Sequence, residues 1–381
     1  MRKIAVVTGT RAEYGYLKPL MMELKKDREF VLIPVITGMH LLTQHGNTYK
    51  IVEKDFPNSV KIPMQLKGNT PLDMVHYLSN GIKNLTDFFE KVKPDIVTAL
   101  GDRSEAFAAA LASVYLNIPF AHINGGDVSG TTIDESIRHA ITKFAHIHLV
   151  HTKTNADRIK KMGEEKNRIF ITGALTIDAI KQTSLMNRKE IFKKYSLDPY
   201  VKTFLVVHHP ITTLKDRGFS QIKELFEALD EIKTQTVLIY PNCDPGSAKF
   251  IDLIEKYKNK PYMHVFENLE HIDYLSFMKN CDLMLGNSSS GIIEAPFFKI
   301  PVLNIGTRQQ GRERSDNIVD VEAEKKAILK AIDFALNDKK FQIKLKNCVN
   351  KFGDGKAAEK IVKILKEIPL NEDLIKKQIT Y

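Results

Sequence analysis

Cysteine is scarce in this chain. The three residues Cys243, Cys281 and Cys348, among 381, lie far apart and form no pair with metal-ligand spacing, which suits a reducing cytosol. No apolar run approaches the roughly 18 residues of a membrane span, and the first residues lead directly into a short strand rather than a signal peptide. The expectation is a cytoplasmic protein with no membrane partner. Neither a G-x-G-x-x-G fingerprint nor a Walker A loop occurs, so dinucleotide and ATP readings lose their main support, and no cofactor is expected. The formal charge is +10, yet the lysines are scattered over helix-like segments instead of being gathered with interleaved aromatics. That pattern points away from nucleic acid and towards a solvated surface, with an anionic small ligand as an additional pull.

What the chain does have is alternation. Its 381 residues exceed the roughly 250–300 at which single cores stop growing, so two domains are expected. Strand-like runs near 3–8, 31–36, 95–100, 120–123, 146–151 and 169–172 alternate with helical patterns, and a polar stretch over 181–202 reads as a linker with one short helix. The rhythm restarts near 203–207, 236–240, 264–266, 283–285 and 302–304. This is the signature of an α/β chain with two Rossmann-like domains, parallel sheets facing a cleft. The expected boundaries are 1–180 and 181–365, with a C-terminal helix, about 366–381, crossing back to the first domain. The apolar spacing of Ala358, Ile361 and Leu365 already belongs to that closing segment.

Each apolar run ends in a short polar segment, and in open parallel sheets ligands bind outside the carboxyl ends of the strands. Gly9-Thr10-Arg11-Ala12-Glu13 stands at a strand-to-helix turn, where orphan N–H groups and a helix dipole favour an anion and Arg11 adds a cation; a plain turn with an N-cap Thr fits equally. Gly286-Asn287-Ser288-Ser289-Ser290-Gly291 is a second phosphate-cradle candidate or a Ser-rich N-cap, at the start of a helix running to residue 298. Glu294, one turn on, suits ribose hydroxyls or is an ordinary helix charge. Asp102, Asp127 and Asp134 are carboxylates converging on one strand edge, as proton abstraction and return require, with an N-cap role as the rival for Asp134. His209, before Pro210, suits proton transfer to a leaving phosphate. His146, His148 and His151 do not share a strand face and have no acidic partner at ligand spacing, so no metal is expected.

Together, Gly9-Thr10-Arg11-Ala12-Glu13, Gly38-Met39-His40, Gly101-Asp102-Arg103, His122-Ile123-x-Gly-Gly-Asp127, Asp134-Glu135-Ser136-Ile137-Arg138-His139, His209-Pro210, Pro241-Asn242-x-Asp244, Gly286-Asn287-Ser288-Ser289 and Gly306-Thr307-Arg308-Gln309 resemble the UDP-N-acetylglucosamine 2-epimerases. The resemblance runs from residue 3 to about 365 and is nearest to the hydrolysing branch that serves sialic acid synthesis. It implies a glycosyltransferase-B-like fold and a UDP-sugar substrate. UDP would be bound by Arg11, Arg103, His209, Asn242, Ser288, Ser289, Glu294 and Arg308, with Ser290 and Arg138 among the binding residues and His40 near the sugar. Asp102 and Asp134 fall on the family's catalytic carboxylates. A homodimer or homotetramer is implied as well.

One departure stands out. Where many relatives carry a catalytic Glu after His-Ile, this chain has Asn124, which cannot take a proton. Either Asp127 supplies the base, or Asn124 binds a differently substituted sugar, or turnover is slow. The implied reaction is hydrolysis of UDP-N-acetylglucosamine to N-acetylmannosamine and UDP. A sister activity on a UDP- or GDP-linked 2,4-diacetamido-2,4,6-trideoxyhexose is the nearest alternative. Beyond it stand a non-hydrolysing epimerase, a glycosyltransferase and an inactive nucleotide-sugar-binding regulator.

Overall fold

The structure is a computed structural model that describes all 381 residues except 44–45, 67, 69, 129–132, 212–213, 217 and 242–245. The chain forms two units. Met1–Gln182 joins Phe352–Tyr381 in the first, and Thr183–Lys351 makes the second.

In the first unit the described strands form a parallel sheet in the spatial order Val60–Ile62, Phe30–Thr37, Arg2–Thr8, Ile96–Leu100, Phe120–Ile123, Ile147–Val150 and Ile169–Ile171. Arg2–Thr8 is apolar and β-branched because both of its faces are covered, as parallel strands require. Ile4 and Val6 pack with Leu17 and Leu20 of helix Arg11–Lys26. Ala5 and Val7 point the other way, onto Tyr77 and Phe89 of helix Pro71–Val92 and the alanine-rich helix Ser104–Tyr115.

The second unit repeats the plan with Met263–Phe266, Gln235–Ile239, Thr203–Val207, Leu283–Gly286, Val302–Ile305 and Ile318–Val321. Phe204 and Val206 face Phe226 and Ile328, whereas Leu205 and Val207 face Phe192 and Phe277. In each sheet the strand order reverses between the unit's first and fourth strands. That puts a topological switch point beside the carboxyl ends of Arg2–Thr8 and Ile96–Leu100, and another beside those of Thr203–Val207 and Leu283–Gly286.

Three details differ from the sequence reading. Strands Val60–Ile62 and Ile318–Val321 were not expected, because three or four residues are too few to show a period. The polar 181–202 stretch is not a free linker: helix Arg188–Lys194 buries Ile191 and Phe192 in the second unit's core. The return to the first unit begins at Phe352, ahead of the expected boundary. Its anchor is helix Ala357–Glu367, whose Ala358, Ile361 and Leu365 join the core around helix Arg11–Lys26. Asp178 accepts the first N–H groups of that helix, from Ala357 at 3.0 Å and Ala358 at 2.8 Å. Farther on, Lys377 reaches Glu164 at 2.5 Å and the carbonyls of Lys143 and Ala145. Burial alone would raise the Glu164 carboxyl, but His148, Lys143 and Lys377 outweigh it and hold the group at about 2.

Replacing Ile361 by Ala is expected to cost the first unit about 2–5 kcal/mol, since it opens a cavity under a fully buried helix face. Hydrogen exchange resolves this by unit: protection should fall in helices Arg11–Lys26 and Ala357–Glu367 and stay unchanged over Thr183–Lys351.

Candidate functional site

The first switch point is acidic. Glu13 turns back so that its carboxylate accepts the Gly9 N–H at 2.8 Å, while the Thr10 hydroxyl caps the helix by accepting from the Glu13 N–H at 3.2 Å. The Gly9 N–H of this turn is therefore taken by the chain's own carboxyl group, and Thr10 is the N-cap of the plain-turn alternative. Burial pushes the Glu13 carboxyl up to about 8, against the lowering pull of the Gly9 N–H. Beneath it lies Glu105, a residue the sequence reading missed. It is buried, accepts the Tyr77 hydroxyl at 2.5 Å, and has its second oxygen 3.7 Å from Arg103 Nε. Gly38, at φ +59°, passes so close over Glu105 and Tyr77 that any side chain there would overlap them. Arg103 itself is largely exposed and also donates to Met39 Sδ at 3.5 Å. Arg11 is exposed on the first helical turn.

His40 is fully buried, with one ring nitrogen 3.2 Å from the Thr8 hydroxyl and the other 2.8 Å from that of Thr48. Burial holds it neutral, at about 4. Both ring nitrogens are thus spoken for, so the structure gives His40 a part in holding this loop and no free group for a sugar.

Asp102 follows the fourth strand of the sheet order, and the helix Ile133–Phe144 brings Arg138 against it. The Arg138 guanidinium donates from one terminal nitrogen to the Asp102 carboxylate and from the other to the Asn124 carbonyl at 3.0 Å. Asp102 is raised above the ordinary carboxylate range, first by burial, with Asp134 and Asp127 adding to the rise and Arg138 and Arg103 opposing it. The three aspartates named from the sequence therefore share one electrostatic neighbourhood. Asp134 stands inside the first helical turn, so it is not the N-cap. Asp127 is buried, after a turn in which Asn124 adopts φ +66° and Gly126 φ +71°. The Asn124 side-chain oxygen is enclosed and has no hydrogen-bond partner among the described residues. His122, held by the Gly101 carbonyl at 2.7 Å, is kept neutral by burial, at about 3.

The second unit's switch point is built around Asn287, also missed as a site residue. Its side chain accepts the His209 N–H at 2.7 Å and donates to the His209 carbonyl at 2.9 Å. Its own carbonyl accepts from Gln309 at 2.8 Å and Arg308 at 3.2 Å. One buried amide thus gathers His209, the serine loop and Arg308. Gly286, at φ +134°, is obligatory here, since a Cβ would overlap the Val207 carbonyl. Ser288 caps helix Ser289–Ile293, and its hydroxyl meets that of Ser290 at 2.9 Å, which in turn meets the Tyr274 hydroxyl. Ser289 is half-buried beside them. The expected helix to residue 298 is broken at Glu294, because Pro296 has no N–H to continue it. That break places Glu294 in the interior, and burial alone raises its carboxyl to about 7, unlike an ordinary solvated helix charge. Asn242 lies outside the described residues. Among those described, no group of acidic, histidine or cysteine side chains has metal-site geometry, and no helix is long and apolar enough to cross a membrane.

Comparison with known proteins places this geometry. Residues 22–366 match the family model described as UDP-N-acetylglucosamine 2-epimerase. Over 382 aligned residues, covering 100% of both chains, the sequence is 38% identical to a UDP-N,N'-diacetylbacillosamine 2-epimerase (hydrolyzing) of Legionella pneumophila. It is 37% identical, over 84% of each chain, to a GDP/UDP-N,N'-diacetylbacillosamine 2-epimerase (hydrolyzing) of Campylobacter jejuni. The fold is shared with a crystal structure of UDP-GlcNAc 2-epimerase from Neisseria meningitidis bound to UDP-GlcNAc, at a TM-score of 0.80, 23% identity and 96% and 100% coverage.

Glu294 carries a stability prediction of definite sign. Its folded value of about 7 lies above the ordinary 4.5, so the folded state holds the extra proton and loses stability as pH rises through this window, by up to about 3 kcal/mol. Thermal unfolding of Glu294→Gln is expected to match the parent near pH 5 and to exceed it at pH 8. A difference independent of pH would show that burial does not perturb this carboxyl.

Proposed function

The chain belongs to the UDP-N-acetylglucosamine 2-epimerase family, and on that premise we propose that it is a hydrolysing 2-epimerase of a nucleoside-diphosphate-linked 2,4-diacetamido-2,4,6-trideoxy sugar, in the first instance UDP-N,N'-diacetylbacillosamine. Of the two sugars weighed from the sequence, N-acetylglucosamine stood first. The names of the two relatives at 38% and 37% identity favour the diacetamido sugar instead. The observation that carries the chemistry is the raised Asp102 carboxyl beside Asp127 and Asp134.

Asp102 takes the C2 proton while the C1–O bond to the nucleoside diphosphate breaks, leaving a 2-acetamidoglycal. Water then adds its oxygen to C1 and gives up its proton to solvent, while a second carboxyl, protonated Asp134 or Asp127, delivers its proton to the opposite face of C2 and is left as carboxylate. The products are the free 2-epimeric sugar and UDP. A carboxyl raised above its ordinary range holds an abstracted proton more firmly than a solvated one. The second unit holds the departing diphosphate: the loop gathered by Asn287 offers serine hydroxyls, His209 and Arg308 to its growing negative charge, and Glu294 accepts from the ribose. His209 can return a proton to the leaving phosphate.

A proton and phosphorus NMR time course in deuterium oxide tests the reading. Incubation with UDP-N,N'-diacetylbacillosamine is expected to release UDP and the 2-epimeric sugar with deuterium at C2. Faster turnover of UDP-N-acetylglucosamine would restore the first sugar. Accumulation of a UDP-linked epimer would make the enzyme non-hydrolysing, and binding of both sugars without turnover would remove the catalytic reading. Asp102→Asn should lower kcat by about 10²–10⁴-fold while UDP affinity stays nearly intact, as loss of a general base predicts. Equal loss of both would make Asp102 structural.

A further inference from the structure

We propose that Arg138 is a positioning residue and not a substrate ligand: its guanidinium forks between the Asp102 carboxylate and the Asn124 backbone, and so fixes the proton acceptor of the reaction proposed above. The inference rests on that reaction for its kinetic arm only.

The geometry leaves Arg138 little to offer a ligand. The residue is 4% exposed, one terminal nitrogen is committed to the Asp102 carboxylate, and the other to the Asn124 carbonyl. Its Nε is enclosed with no partner among the described residues. A guanidinium reads two acceptors at fixed angles, so this fork ties the loop after Leu100 to the loop after Ile123 in one register. Asn124 is already strained into the left-handed region and donates its N–H to the Leu149 carbonyl at 3.0 Å, so Arg138 supplies the second of two backbone anchors. At the C-terminal end of the same helix, the Lys143 and Ala145 carbonyls accept from Lys377, so the helix is held both at its middle, through Arg138, and at that end.

The charges around Asp102 explain why this cation matters. Asp127 faces it from the loop after Phe120–Ile123, and Asp134 from helix Ile133–Phe144. His139, on the same helix, lies 3.2 Å from Glu135, and His122 beneath is held neutral by burial. Against burial and two carboxylates stand Arg138 and the more exposed Arg103. Arg138 is the one of the two that hydrogen-bonds the Asp102 carboxylate directly. Removing it leaves a buried carboxyl beside like charges, which raises its affinity for protons.

Two measurements separate the roles. In full-length protein with carboxyl-¹³C aspartate, the Asp102 signal, identified by its loss in Asp102→Asn, is titrated directly; this readout needs no turnover. Arg138→Gln is expected to raise its midpoint by about one pH unit or more, the acid limb of kcat/KM should move up with it, and the Kd of UDP should change less than about twofold. Added guanidinium ion should move the limb back. Arg138→Lys keeps the charge but not the fork, so its midpoint should stay near the parent's while kcat falls; it also serves if the Gln variant does not fold. An unmoved Asp102 midpoint together with an approximately tenfold weaker Kd for UDP or the nucleotide-sugar, at unchanged kcat, would make Arg138 a ligand and overturn the proposal. If the parent turns over neither sugar, the functional reading fails, and the carboxyl titration still decides for or against the clamp.

Discussion

A parallel sheet covered on both faces leaves its polar groups one place to stand, the ends of the strands. Both sheets of this chain obey that constraint: Ile4 to Val7 and Phe204 to Val206 are all but fully buried, and the polar residues begin where these strands stop. Because the strand order reverses beside the first strand of each sheet, the loops there diverge. Such an edge creates a problem of charge. A carboxylate placed there is half out of water and needs a donor or a cation. Asp102 has Arg138, Glu13 has the Gly9 N–H, and Glu164, at the flank of the same sheet, has two lysines and a histidine.

The two edges solve the problem with different chemistry. The first gathers acids and raises two of them, Glu13 and Asp102, a setting for moving protons. The second gathers amides, hydroxyls and an arginine around Asn287, a setting of donors for an oxyanion. Glu294 is the exception there: burial raises its carboxyl to about 7, so near neutral pH it carries only about half of a negative charge.

Much of this was legible because strand ends are visible in a sequence. An apolar β-branched run followed by Gly-Asp-Arg or Gly-Asn-Ser-Ser marks both the fold and the edge, and Asp102 is named that way, with Asp127 in the loop after a later strand and Asp134 at the helix start downstream. What stayed hidden was direction. Nothing in the spacing shows that Glu13 folds back onto Gly9, that His40 spends both nitrogens on threonines, that Glu105 lies against Gly9, Gly38 and Tyr77, or that Asn287 gathers His209, Arg308 and Gln309. Glu294 was ambiguous because its burial depends on Pro296 breaking a helix whose period looked continuous. The short strands Val60–Ile62 and Ile318–Val321 owe their existence to longer neighbours rather than to their own pattern.

Asn124 shows how tightly charge and role are linked at the first edge. A carboxylate at this position would be the fourth beside Asp102, Asp127 and Asp134, which Arg138 and Arg103 oppose. Each added negative charge makes Asp102 hold its proton more firmly, so a neutral amide here spares the acceptor. The exchange has a chemical consequence: an amide returns no proton, so in the proposed reaction the second proton transfer falls to Asp127 or Asp134. It also leaves an enclosed oxygen with no donor among the described residues, on the loop that Arg138 ties to Asp102. A buried acceptor left open is costly. The diacetamido sugar proposed above carries acetamido N–H groups at C2 and C4, donors of the kind that oxygen lacks.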